Sequence, residues 1–140
     1  MPSFKYQEGK SSLFGTIKRP FVALETYSIK LRRWIAFKEV LADTGADICL
    51  LPRFMGHLLV NDVTTGVYKR IRGIVPNTFI NGFIHDLKIR AGNKEFTAPV
   101  FIADSEDVTP ILGRAKAMDL FKVCFDGDCT SIEEKGNSKH

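Results

Sequence analysis

Leu41-Ala42-Asp43-Thr44-Gly45-Ala46-Asp47 brings together residue types suited to acid–base chemistry. A carboxylate closes an apolar run and is followed by a hydroxyl, a glycine and a small side chain. Asp43 is the candidate catalytic group, because a carboxylate can both take and give a proton. Gly45 lets the backbone come close enough for loop amides to point at that carboxylate. Thr44 carries a hydroxyl able to bond to backbone and lock two loops together, and Ala46 leaves room for a bound chain. Hydrolysis by carboxylates uses two of them sharing one proton, one as acid and one as base. The stretch occurs once in this chain. One copy is half of such a pair, so the expected working unit is two chains.

Asp-Thr-Gly alone is a weak signal, since Asp and Gly also have ordinary roles in turns. Its setting sharpens it. Trp34-Ile35-Ala36-Phe37-Lys38-Glu39-Val40-Leu41-Ala42 reads as a strand running into Asp43, and Ile48-Cys49-Leu50-Leu51 as a short strand leading out, closed by Pro52. Arg53 to Leu59 suits one or two helical turns behind that proline. Upstream, Phe21 to Ile29 is rich in β-formers. Downstream, residues 71–83 are apolar but broken by Gly73, Pro76, Asn77 and Gly82, which fits a mobile hairpin with its tip near Pro76-Asn77. Phe83 to Arg90 and Glu95 to Ala103, joined by Ala91-Gly92-Asn93-Lys94, make a second, firmer hairpin. Ile111-Leu112-Gly113 is another short apolar run. Arg114 to Phe121 has helical character, and Val123-Cys124-Phe125 is a last strand. Short strands at close spacing with few helical turns point to an all-β, barrel-like fold.

The chain of 140 residues is expected to form one domain with a core of its own. Its eleven Phe suit a core or groove rich in flat apolar surface, and core is the favoured use. A net charge of +4 is mild. Lys30, Arg32 and Arg33 form one basic cluster and Lys69, Arg70 and Arg72 another, both read as solvated surfaces. A nucleic-acid binder would show a longer basic stripe, so nucleic acid is not expected as the main partner. The second cluster is compatible with acidic partners. Three Cys are read as reduced thiols, with Cys49 buried; Cys124 and Cys129 are close enough in sequence to pair. His57, His85 and His140 are isolated and read as surface or structural. Asp104, Glu106 and Asp107 read as a solvated loop without calcium-site spacing. No apolar run suits a signal peptide or a membrane span, so a cytoplasmic chain is expected, or a piece of a longer protein.

Two motifs in order carry a family resemblance: Leu41 to Asp47, and Ile111-Leu112-Gly113-Arg114 followed by a short helical stretch and Phe121-Lys122-Val123. A glycine-bearing hairpin lies between them. The chain thus resembles the retropepsin-type (retroviral-like) aspartic proteases over roughly residues 20–126. The resemblance implies a closed single-domain acid-protease barrel with one short helix near the C-terminus and its active site at a homodimer interface. An N-terminal arm (1–19) and a polar C-terminal tail (127–140) flank the domain; residues 1–12 are read as loose and the tail as frayed.

The implied activity is an aspartic endopeptidase. Asp43 of each chain forms the dyad that activates a water, and Thr44 bonds across the two-fold axis. Thr44 and Gly45 support the loop. Ala46, Asp47, Gly73, Ile74, Val75, Pro76, Ile111 and Leu112 match positions that meet substrate. Arg114 matches the position that pairs with Asp47 to brace the loop. No cofactor and no metal are implied. The expected partners are a second copy and a polypeptide with apolar residues flanking the cleaved bond, at acidic or mildly acidic pH, because one carboxyl of the pair must hold a proton. Two departures from the family pattern stand out: a hairpin tip poor in glycine and stiffened by Pro76, and the basic trio beside it. They motivate an alternative, a non-catalytic homodimeric peptide-binding or dimerisation module on the same fold. A domain released from a longer polyprotein, cleaving mainly its own ends, is a third reading.

Overall fold

The computed structural model describes residues 2–73 and 76–135. In chain order the elements are β1 (Ser3–Lys5), β2 (Gln7–Ser11), β3 (Gly15–Arg19), β4 (Phe21–Ser28), β5 (Arg33–Ala42), β6 (Cys49–Leu51), α1 (Arg53–Leu59), β7 (Val67–Arg72), β8 (Phe79–Ala91), β9 (Lys94–Ala103), β10 (Ile111–Leu112), β11 (Phe121–Phe125) and β12 (Cys129–Glu134). Six strands form a ring in the order β4-β5-β10-β6-β9-β8, closed by pairing of β4 with β8. The closed all-β barrel expected from the strand spacing is therefore present. Closure removes the open edges that a flat sheet would leave unpaired.

Alternation along the strands builds the core. Every second residue of β4 is buried, from Val22 through Leu24 and Thr26 to Ser28. Leu87, Ile89 and Ala91 of β8 face Phe96, Ala98 and Val100 of β9 and Val40 and Phe37 of β5 in one cluster. The closing seam between β4 and β8 pairs Glu25 with Arg90 and Thr26 with Ile89. Across it Arg90 holds Glu25 through two bonds, Nε to Oε1 at 3.2 Å and Nη2 to Oε2 at 2.9 Å. The guanidinium also lies 4.3 Å over the ring of Trp34.

The single α-helix packs on this barrel through Gly56, where an added Cβ would fall 2.3 Å from Ile102 Cγ2. Carbonyls at a helix C-terminus lack partners within the helix. Here the end of β4 supplies them: Ser28 Oγ donates to Leu58 O at 2.5 Å, Ile29 N to Leu59 O at 2.8 Å and Lys30 Nζ to His57 O at 3.1 Å. Ser28 Oγ in turn accepts from Leu31 N at 2.9 Å. The helical segment near the C-terminus takes the tighter 3-10 form, Met118–Leu120, with Ala117 and Met118 buried.

The chain ends differ from their polar appearance. β1 pairs with β12, and β12 with β11, in a three-stranded sheet. Thr130 and Ile132 are buried there, and Ile132 N donates to Pro2 O at 3.0 Å. The loose start and the frayed tail are thus corrected over Ser3–Lys5 and Cys129–Glu134; residues 136–140 lie outside the described residues. The reason is that only Thr130 and Ile132 need point inward, too few to give a periodic signal. β2 and β3 form a separate hairpin whose turn exposes Leu13 and Phe14. All three cysteines are free thiols. Cys124 stands opposite Ser131 and Cys129 opposite Lys5, so the two do not share a rung.

Two outcomes follow for stability. Ser28→Ala removes a donor and an acceptor at a buried site and is expected to cost about 1–2 kcal/mol, measured by urea unfolding. The seam gives a pH effect. The hydrogen bond from Arg90, opposed by desolvation and aided by its charge, holds the Glu25 carboxyl below its ordinary 4.5. A lowered native pKa contributes stability that is present above the unfolded value and lost as pH falls through the native one. The difference in Tm between the wild type and Glu25→Gln should therefore be present at about pH 7 and vanish by about pH 2.

Candidate active site

Asp43 follows the last residue of β5 directly, and its position is set by backbone bonds on both sides. Leu41 N donates to Pro110 O at 2.9 Å, and Asp43 N to Leu112 O at 3.1 Å. β10 lies parallel to β5 and antiparallel to β6, with Ile111 beside both Leu41 and Leu50. The strand entering the Asp43 loop and the strand leaving it are thus joined through two residues. Beyond β10, Arg114 N donates to Ala46 O at 3.0 Å and Ala115 N to Asp47 O at 2.8 Å. The loop from 43 to 47 is tied at its start and its end by one downstream segment.

Within the loop, Ala46 N donates to Asp43 O at 3.2 Å, closing a turn at Thr44-Gly45. Gly45 N donates to Asp43 Oδ1 at 2.9 Å. An added Cβ on Gly45 would stand 3.3 Å from that same oxygen, a tight approach that glycine avoids. Asp43 is half-buried, whereas Thr44, Gly45 and Asp47 are exposed. The carboxylate therefore keeps one oxygen oriented by backbone while the group stays open to the cleft.

That cleft has a volume of about 780 Å³. Asp43, Gly45, Ala46 and Asp47 lie on its floor with Ile48, Leu50 and Ile111. The hairpin of β7 and β8 covers it, contributing Lys69, Ile71, Gly73, Thr78, Ile80 and Ile84, with Arg70 and Arg72 also bordering the space. β7 and β8 pair from Val67↔Ile84 to Arg72↔Phe79, and Gly73 N donates to Thr78 O at 2.8 Å. The turn beyond contains Pro76 and Asn77, where the hairpin was expected to turn, and Asn77 takes a left-handed φ of 65°. Apolar walls with an oriented carboxylate at the base make a concave, mostly apolar cleft with few polar groups, the usual form of a binding site.

Half of the expected site residues meet here: Asp43, Gly45, Ala46, Asp47, Gly73 and Ile111 all line the cleft. Ile74 and Val75 lie outside the described residues. Pro76 is exposed and does not line the cleft, and Thr44 is exposed in the turn. Leu112, expected to line a subsite, is instead buried in the core at 1% exposure, because successive strand side chains face opposite ways. The expected Asp47–Arg114 ion pair is also corrected. Arg114 pairs with Asp119, Nε to Oδ1 at 3.2 Å, and its link to the loop runs through backbone. The turn of residues 114–117, with Lys116 at a φ of 54°, brings Asp119 back to Arg114 where a continuous helix had been read.

Ile48, Leu50, Ile71, Ile80 and Ile84 were not singled out in the sequence, although alternation across a hairpin of known register would have found the last three. Cys49 is no rival nucleophile: burial pushes its thiol up, against a lowering bond from the Gly113 backbone. His85 lies outside the cleft lining, and its Nε2 is bonded to Val63 O at 2.6 Å. Among the described residues no group of three His, Cys, Asp or Glu is placed to hold a metal ion, and no helix is long and apolar enough to cross a membrane.

No protein-family model matches the chain, and no curated protein sequence matches it. Among solved structures it is similar to the EIAV protease complexed with the inhibitor HBY-793, at 22% identity over 76% of this chain and 88% of that one, with a TM-score of 0.44.

Proposed function

We propose that the chain is an aspartic endopeptidase that works as a homodimer. The observation that carries this reading is the Asp43 carboxylate, oriented by the Gly45 amide at 2.9 Å on the floor of a mostly apolar cleft beneath a β-hairpin. One chain offers one such carboxylate. A second copy, meeting the first at the 43–47 loop, supplies the other.

In the dimer the two Asp43 carboxyls share a proton, because like charges at such a distance do not both ionise. The ionised one takes a proton from a water lying between them, and that water attacks the carbonyl carbon of the peptide. The protonated one donates to the carbonyl oxygen as the tetrahedral intermediate forms. A proton then passes to the leaving nitrogen as the C–N bond breaks. The hairpin excludes bulk water from this step. Ile48, Leu50, Ile71, Ile80, Ile84 and Ile111 favour apolar side chains next to the cleaved bond. Gly73 and Asp47 border the path of the peptide backbone.

The test is cleavage of an unfolded protein substrate across a pH series, with wild type beside Asp43→Asn and with a statine-type inhibitor. Turnover is expected at acidic to mildly acidic pH, blocked by the inhibitor, and to fall as the shared proton is lost on the alkaline side. Asp43→Asn should lower it by about a hundredfold or more with little change in Tm. Proteolysis retained by that variant overturns the reading. A dimer that binds apolar peptides but cuts none at any pH would be the non-catalytic module. The dimer has its own check: specific activity should fall on dilution in step with a loss of dimer seen by analytical ultracentrifugation.

A further inference from the structure

Of the basic trio on the hairpin, one member differs from the others in where it points. Residues paired across an antiparallel ladder share a face, and neighbours along a strand alternate. Val67↔Ile84, Lys69↔Gly82 and Ile71↔Ile80 therefore lie on one face, and Tyr68↔Phe83, Arg70↔Asn81 and Arg72↔Phe79 on the other. The first face is the cleft face, since Ile71, Ile80 and Ile84 line the cavity. Arg70 is engaged on the opposite face, with its guanidinium 4.0 Å over the ring of Phe79. Tyr68 bonds to Asn81 on that same face at 3.0 Å. Arg70 and Arg72 border the cavity from the opposite face, and Lys69 is the cation carried on the face of Ile71, Ile80 and Ile84.

Its surroundings leave it available. Lys69 is exposed and, among the described residues, its side chain takes part in no ion pair or hydrogen bond. Its cross-strand neighbour is Gly82, which has no side chain to cover the lysine stem. Gly82 also has little freedom to become anything larger, because an added Cβ would lie 2.4 Å from Ile102 O and 2.6 Å from the ring of Phe101. The floor carboxylates Asp43 and Asp47 form no ion pair with the hairpin either. An apolar cleft with an unpaired ammonium at its covered side is complementary to a peptide that carries a carboxylate among apolar residues.

We propose that Lys69 is a specificity-determining residue that selects peptides with an acidic side chain a few residues from the cleaved bond. This deepens the endopeptidase reading and rests on it. The flexible four-carbon stem lets the ammonium follow a carboxylate at the cleft rim. A partly exposed pair of this kind gives a moderate preference, about three- to fivefold, that weakens as salt is raised.

The experiment uses matched peptides with one apolar pair at the cleaved bond and either Glu or Gln placed in turn at each flanking position. The readout is the Glu-to-Gln ratio of kcat/KM, so that each variant carries its own reference. In the wild type one position should show a ratio of about three to five. Lys69→Met should bring that ratio to about one, Lys69→Arg should keep it, and Lys69→Glu should reverse it in favour of a Lys peptide over Gln. The same peptides, fluorescently labelled, are titrated by anisotropy into Asp43→Asn, which reads binding without turnover. A ratio unchanged in Lys69→Met overturns the proposal and leaves the protease reading standing, as does a wild-type ratio of one at every position. A Lys69-dependent preference for Glu in binding, with no peptide cut by the wild type, upholds the recognition and overturns the protease reading. Absence of both cleavage and binding overturns both.

Discussion

Two residues of backbone hold the candidate site together. Ile111 and Leu112 lie between the strand that delivers Asp43 and the strand that leaves its loop, and the segment around them bonds to residues 41, 43, 46 and 47. The constraint is tightest at Gly113. A Cβ there would fall 2.3 Å from the carbonyl carbon and oxygen of Ile48, and backbone in a clamped strand cannot move aside. Only a residue without a side chain lets the 113–115 turn come close enough to bond to Ala46 and Asp47. The second motif of the sequence therefore acts on the first through space. Its apolar residues divide the work: Ile111 turns into the cleft and Leu112 into the core.

The cover depends on the barrel in another way. β8 is a single strand of 13 residues that pairs with β7, β9 and β4. Its C-terminal half is core, with Leu87 at 1% and Ile89 at 3% exposure, whereas Phe79 near the hairpin tip is 45% exposed. The ladder to β9 anchors the strand from Gly82 onward, whereas Phe79 and Ile80 lie beyond it and pair with Arg72 and Ile71 of β7. The Glu25–Arg90 pair at the β4–β8 seam lies at the anchored end, away from the cleft.

Charge is divided across the cleft. The floor carries Asp43 and Asp47, and the cover carries Lys69 with Arg70 and Arg72 at its border, with apolar side chains between them. Among the described residues no ion pair bridges floor and cover. Opposite charges held apart across an apolar space leave both available to a third molecule. Both ends of the described chain pair with each other in the β1-β12-β11 sheet.

Much of this was legible in the amino-acid order, because local patterns have local causes. β-Forming residues marked β4, partial alternation marked β5 and β8, since a strand must bury every second residue, and the turn at Gly92 marked β9 as a return strand. Proline at 52 and the Pro76-Asn77 pair marked a helix start and a turn, since both restrict the backbone within one or two residues. The Asp43-Thr44-Gly45 order was visible for the same reason: the Gly45 amide reaches Asp43 from two residues away. What the order could not show were relations between distant segments. The β1-β12-β11 sheet, the turn of Leu112 into the core and the pairing of Arg114 with Asp119 rather than Asp47 each depend on packing or turns set by the fold. So does the difference between Lys69 and its basic neighbours, which rests on hairpin register and on which face meets the cleft. By itself, then, the sequence determined the strands, the turns and the chemical groups at the Asp43 loop. The tertiary structure alone decided which side chains share one cavity, because a face has no meaning until another surface is packed against it.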